Sequence, residues 1–100
     1  MRKKIITIPP PYKADIERAI RILKEAGCRE IFLFGSIAEG NSKDTSDIDL
    51  AVRGCPNGMF FRLLGRLTLE LEHPVDLIDL DKQKDFGSYL EKEGPLLHVA

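Results

Sequence analysis

Long apolar runs are missing from this 100-residue chain, and so is an excess of either charge. No stretch approaches the roughly 18 consecutive apolar residues that a membrane-spanning helix needs. The N-terminus, MRKKIITIPPPYKAD, opens with basic residues as a secretory leader does. Its apolar part gives out almost at once at Pro9, Pro10 and Pro11, far short of a leader's apolar core. A cytoplasmic location is therefore expected. With 15 basic against 16 acidic residues the formal net charge is −1, which gives no electrostatic reason to expect a nucleic-acid wrapper or a membrane-surface protein. Cysteine is scarce as well. Cys28 and Cys55 form no CxxC and have no third or fourth partner, so they are expected as reduced thiols in or near the core, with a disulfide or metal pair as the alternative. The chain also lacks a G-x-x-x-x-G-K-[ST] phosphate loop, internal repeats and low-complexity segments. No interleaving of aromatic and basic residues suggests base stacking, and Tyr12 and Tyr89 are expected as packing residues.

What is present is an ordinary globular composition, 43% apolar and 31% charged. A chain this short has room for one core and one site. One domain over residues 1–100 is expected, with 1–11 as an extended lead-in, because successive prolines lack the N–H groups that a helix interior or central strand uses.

From Tyr12 to Ala26 the apolar residues Ile16, Ile20 and Leu23 recur at steps of three and four, which predicts a helix stopped by Gly27. Ile31–Phe34 is a short apolar run suited to a strand covered on both faces. After Gly35 comes a polar loop over 36–46, with room for one helical turn from Ser36. Asp47–Arg53 alternates as a strand, with Asp47, Asp49, Ala51 and Arg53 on one side. A turn cluster over 54–58 leads to a second helix, Met59–Glu72, which His73-Pro74 breaks. Of its first residues, Phe60 and Phe61, one must lie off the core stripe and mark a partner surface. His73 is expected as a cap or surface residue. A third strand, Val75–Leu80, and a third helix, Gln83–Glu93, complete the order. The apolar end, 96–100, is too short to assign. The predicted fold class is α+β: a small mixed sheet of three or four strands, with helices packed mainly on one face.

The chemistry concentrates in Phe34–Leu50, FGSIAEGNSKDTSDIDL. Asp47 and Asp49, two apart on a strand, share a face with Cα atoms roughly 6.5 Å apart. Carboxylates that close repel unless a cation lies between them, and an all-oxygen set suits Mg²⁺ or Mn²⁺ completed by phosphate and water. Gly35 at a strand end lets backbone approach a ligand, and Ser36 offers its hydroxyl and N–H to a phosphate. A D-x-D or a Gly-Ser alone is unspecific. The conjunction of strand, Gly-Ser, ten residues and D-x-D on the next strand is what points to nucleotide handling.

That conjunction resembles the signature of the DNA polymerase β superfamily of nucleotidyltransferases, and in so short a chain it resembles the minimal nucleotidyltransferase group. The resemblance implies a polymerase β-like fold and metal-dependent transfer of a nucleoside monophosphate to a hydroxyl, AMP from ATP being the first choice. It implies triphosphate binding at Gly35 and Ser36, two Mg²⁺ ions on Asp47 and Asp49, and a third carboxylate in an apolar strand, for which Asp76 matches. Alternation puts Asp79 on the other face, as a strand-end or capping residue. Members often carry basic residues where this chain has Ile37 and Glu39; Lys43 in the loop is the candidate to compensate. The resemblance further implies a small helical HEPN-type partner, silenced by attaching AMP to its tyrosine in a toxin–antitoxin pair; separately, a chain too short for an acceptor-binding domain leaves homo-oligomerisation as another way to complete the site. The competing expectations are a non-catalytic module that masks its partner, and a transferase acting on a small-molecule hydroxyl of antibiotic type.

Overall fold

The computed structural model describes residues 8–40, 47–93 and 96–100. Its elements are α1 (Pro10–Glu25), β1 (Glu30–Phe34), α2 (Gly35–Glu39), β2 (Ile48–Arg53), α3 (Phe60–Glu70), β3 (Val75–Asp79), α4 (Lys84–Glu93) and β4 (Leu97–His98). The strands form one mixed sheet in the order β3-β2-β1-β4. β1 pairs antiparallel with β2 and with β4, while β2 and β3 run parallel. This is the α+β class expected. The fourth strand comes from the apolar end that the sequence leaves unassigned.

Alternation along the strands divides the core in two. Ile31, Leu33, Ile48, Leu50, Val52 and Leu77 face α1 and α3 and pack on Tyr12, Ile16, Ala19, Leu23, Leu63 and Leu67. Phe32, Phe34 and Ala51 face the other way, where Leu80, Phe86 and Leu90 cover them. The longest helix, α1, and α3 thus share the first face, and α4 lies on the second.

The helix α1 begins at Pro10, earlier than expected and inside the supposed lead-in. The first-turn N–H groups of a helix have no intrahelical acceptor, so prolines there forfeit nothing. The helix α3 ends at Glu70, because Leu71 is already extended at φ −89°, ψ 153° ahead of the His73-Pro74 break. Phe61 is 81% exposed, as one of the Phe pair had to be. Among the described residues no helix is long and apolar enough to cross a membrane.

Cys28 and Cys55 correct the expectation of reduced thiols: they form a disulfide. The reason lies in the ladder. Glu30 pairs with Arg53, and the same register continued two residues outward sets Cys28 opposite Cys55. Positive-φ glycines at 27 and 54 turn the chain at both points. The bridge therefore ties β1 to β2 at the end of the sheet opposite Gly35.

Two acids show what holds the elements in register. Asp15, on the core-facing side of α1, is 6% exposed. Its carboxylate accepts hydrogen bonds from the backbone N–H of Glu72 (2.9 Å) and of His73 (2.8 Å), and the His73 ring Nδ1 lies 2.8 Å away. The His73 ring also rests on Tyr12, with centroids 4.4 Å apart. His73 is thus not a surface residue: with Asp15 it fastens α1 to the loop that leads into β3. Burial pushes the Asp15 carboxyl up, but the hydrogen bonds from His73 and the two backbone groups together outweigh it and hold the carboxyl below its ordinary value.

Candidate active site

The end of β1 and the starts of β2 and β3 meet at one edge of the sheet. Register makes Phe34 the partner of Asp49 across β1 and β2, and Asp49 the partner of Asp76 across β2 and β3. Register partners project to the same side, so these three side chains form a row on the face that α4 partly covers. Parallel neighbours lie about 4.8 Å apart, which brings the Asp49 and Asp76 carboxylates within reach of a single bound cation. Asp47 immediately precedes β2 and is exposed; its charge also acts on Asp49.

Asp49 is half-buried, and among the described residues no hydrogen-bond donor or cation is paired with it. Burial, then the charges of Asp76 and Asp47, raise its carboxyl from 3.8 to about 6. A carboxylate kept costly to ionise beside two others favours a cation at this place. Among the described residues, no three acidic, histidine or cysteine side chains are grouped closely enough to cage a metal alone. The oxygen-only donor set fits Mg²⁺ in its usual protein environment, where one or two carboxylates are completed by phosphate and water.

Gly35 has φ +76°, and a Cβ there would run into the Asp49 side chain, 2.8 Å from its Cγ. Both facts require glycine: the left-handed backbone and the space the carboxylate occupies. Gly35 and Ser36 open the single turn α2, whose C-terminal end is capped by Gly40 at φ 80°. Ile37 is buried in the core beneath this turn. Glu39 is exposed. Lys43 lies outside the described residues.

Asp79 points to the opposite side from Asp76 and accepts a hydrogen bond from the Asp81 N–H at 3.0 Å. It is a turn-capping residue, as alternation predicts. What sequence reasoning missed is Asp15. Its signal was available, since an acid among Tyr12, Ile16 and Ala19 interrupts an otherwise apolar face. Tyr89, expected to pack, is 59% exposed on α4.

A family model described as "Polymerase beta, Nucleotidyltransferase" matches residues 17–99. No curated protein matches the chain. Among solved structures, the fold is similar to one chain of a toxin–antitoxin crystallised with AMP-PNP, with TM-score 0.65 and 28% identity over 80% of this chain and 69% of that one. It is similar to a chain of a mutant MntA–HpeT toxin–antitoxin at TM-score 0.64 and 26% identity, over 80% and 69% of the two chains. A structure of a tri-AMPylated Shewanella oneidensis HEPN toxin in complex with MNT antitoxin, 24% identical over 84% of this chain and 69% of that one at TM-score 0.61, shares the fold.

Proposed function

The chain belongs to the polymerase β nucleotidyltransferase family, and we propose that it transfers AMP from ATP to a hydroxyl of a HEPN-type partner, acting as the antitoxin of the pair. The observation that carries this reading is the close approach of Gly35 to Asp49, with Asp76 in register beside it. It joins a close-approach turn, where only glycine fits, to two carboxylates in register on adjacent strands.

In this reading Gly35 and Ser36 receive the triphosphate. Asp47, Asp49 and Asp76 would hold Mg²⁺ together with phosphate and water, and the ion would supply neutralisation of the triphosphate and activation of the acceptor hydroxyl when bound. Asp76, the exposed member of the row, faces the acceptor and takes its proton as the hydroxyl oxygen bonds to the α-phosphorus. Pyrophosphate leaves on the opposite side. Gly35 keeps Asp49 against the turn, so that phosphate and metal ligands converge without rearrangement. Solved relatives in toxin–antitoxin complexes, one holding AMP-PNP, support both the nucleotide and the partner.

Incubation with labelled ATP, Mg²⁺ and a co-purified HEPN-type partner tests the proposal. Label on the partner that disappears with Asp47→Ala supports it; tight association without label replaces it with masking. The masking reading has its own observation, since Ile37 is buried and Glu39 brings negative charge to the turn's far end.

A further inference from the structure

The helix α4 has two unlike flanks, and their placement on the sheet gives each a direction. Lys84, Gly87, Ser88 and Glu91 line one cavity of about 300 Å³ with Arg53 and Asp81, at the end of the sheet away from Gly35. Glu91 reaches Arg53 there, at 3.5 Å. At 100° per residue, Phe86 and Tyr89 fall on the opposite flank, toward the carboxylate end. Contacts agree: the Phe86 ring meets the Phe34 ring edge-on at 5.9 Å, and Phe34 is the register partner of Asp49. Tyr89 stacks on Phe86, with centroids 6.3 Å apart and planes inclined by 20°. Phe86 is thus held between the Phe34 and Tyr89 rings, and the outer ring, Tyr89, is 59% exposed.

We propose that Tyr89, backed by Phe86, is the platform on which the base of the nucleoside triphosphate stacks. The proposal rests on the reading of Gly35, Asp49 and Asp76 as the phosphate and metal end of the same site. A triphosphate anchored there needs a surface for its base beyond the ribose, and the ring contacts lead from Phe34, beside Asp49, through Phe86 to Tyr89. Aromatic stacking fits that task because every base has a π-face and a tyrosine braced by a second ring loses little freedom on binding. The exposed polar rim of α4 offers no comparable flat surface on that flank. The platform gives affinity without reading base edges, so it predicts tolerance among purines.

Calorimetric titration of the whole protein with Mg²⁺ and either ATP or inorganic triphosphate separates the platform from the phosphate end. Tyr89→Ala is expected to weaken ATP binding about tenfold or more, while inorganic triphosphate binds as it does to the wild type. Tyr89→Phe is expected to restore ATP binding, because the ring and not the hydroxyl acts. Equal ATP affinity in wild type and Tyr89→Ala overturns the platform and leaves the phosphate site standing. Equal loss for ATP and inorganic triphosphate overturns it too, by showing a general defect. If the wild type binds neither, the reading of the phosphate end fails and the platform falls with it.

Discussion

Asp15 and Asp49 are both shielded carboxylates, yet the protein treats them in opposite ways. Asp15 is surrounded by donors: two backbone N–H groups and the His73 ring satisfy it, and its carboxyl is held below the ordinary range. Asp49 is surrounded by its own kind, with Asp76 beside it and Asp47 near, and is raised to about 6. The first arrangement lowers the energy of the fold. The second raises it, and persists because the strands on either side fix it there. A satisfied buried charge marks a fastening, whereas an unsatisfied one among like charges marks a place built for something that arrives later.

The contrast can be broken in four ways. The largest effect is expected for Asp49→Asn. Transfer should fall by about a thousandfold or more, since in the proposed mechanism several kcal/mol of barrier lowering come from a metal on these carboxylates. Measuring labelled AMP on the partner checks this. The companion change at Asp15, Asp15→Ala, leaves three donors without their acceptor and should cost about 2–4 kcal/mol of stability. Chemical denaturation reads that loss, while the transfer rate per folded molecule should stay within a few-fold of wild type.

Gly35→Ala is next. A side chain at φ +76° is strained and meets Asp49, so a loss of about 1–2 kcal/mol in stability is expected. Transfer should fall as well, because the carboxylate must move to make room. Thermal melting and the transfer assay together distinguish this from a fault of folding alone.

The smallest effect is in the pH profile of the metal-free protein. An acid whose folded value is raised, like Asp49, binds a proton more readily when folded, so its contribution is full below about 4 and is lost as pH rises to about 6. For Asp15 the sign is reversed. Its folded value is lowered, so its contribution is present above the unfolded value of 3.8 and is lost as pH falls through the lower folded value. Denaturation midpoints should therefore lose their slope between pH 4 and 6 in Asp49→Asn, and lose part of the acid limb in Asp15→Asn.

Much of this fold was legible because its signals are periodic. The α1 and α3 stripes and the Asp47–Arg53 alternation need only local repetition, and the Gly35-Ser36 and D-x-D spacing places the candidate site. The strand β4 was not legible, since Leu97–His98 is too short to show a period and exists only because β1 offers a free edge. The Cys28–Cys55 bridge depends on how β1 registers against β2, which no local pattern states. Tyr89 is indistinguishable from a packing residue in the sequence, because helical periodicity separates faces but not the flanks of a helix that covers only part of a sheet. Asp15 stood in plain view on an apolar face, but its partners, 57 and 58 residues further on, did not.

The most direct test is a paired measurement on Asp49→Asn without and with its function. In metal-free buffer at pH 7 to 8 the variant should melt higher than wild type. The shift from 3.8 to about 6, discounted for the solvent that still reaches the group, corresponds to about 1–2 kcal/mol. In the presence of ATP, Mg²⁺ and the partner it should transfer almost nothing. A variant that melts lower than wild type, or one that still labels the partner at the wild-type rate, would contradict the account.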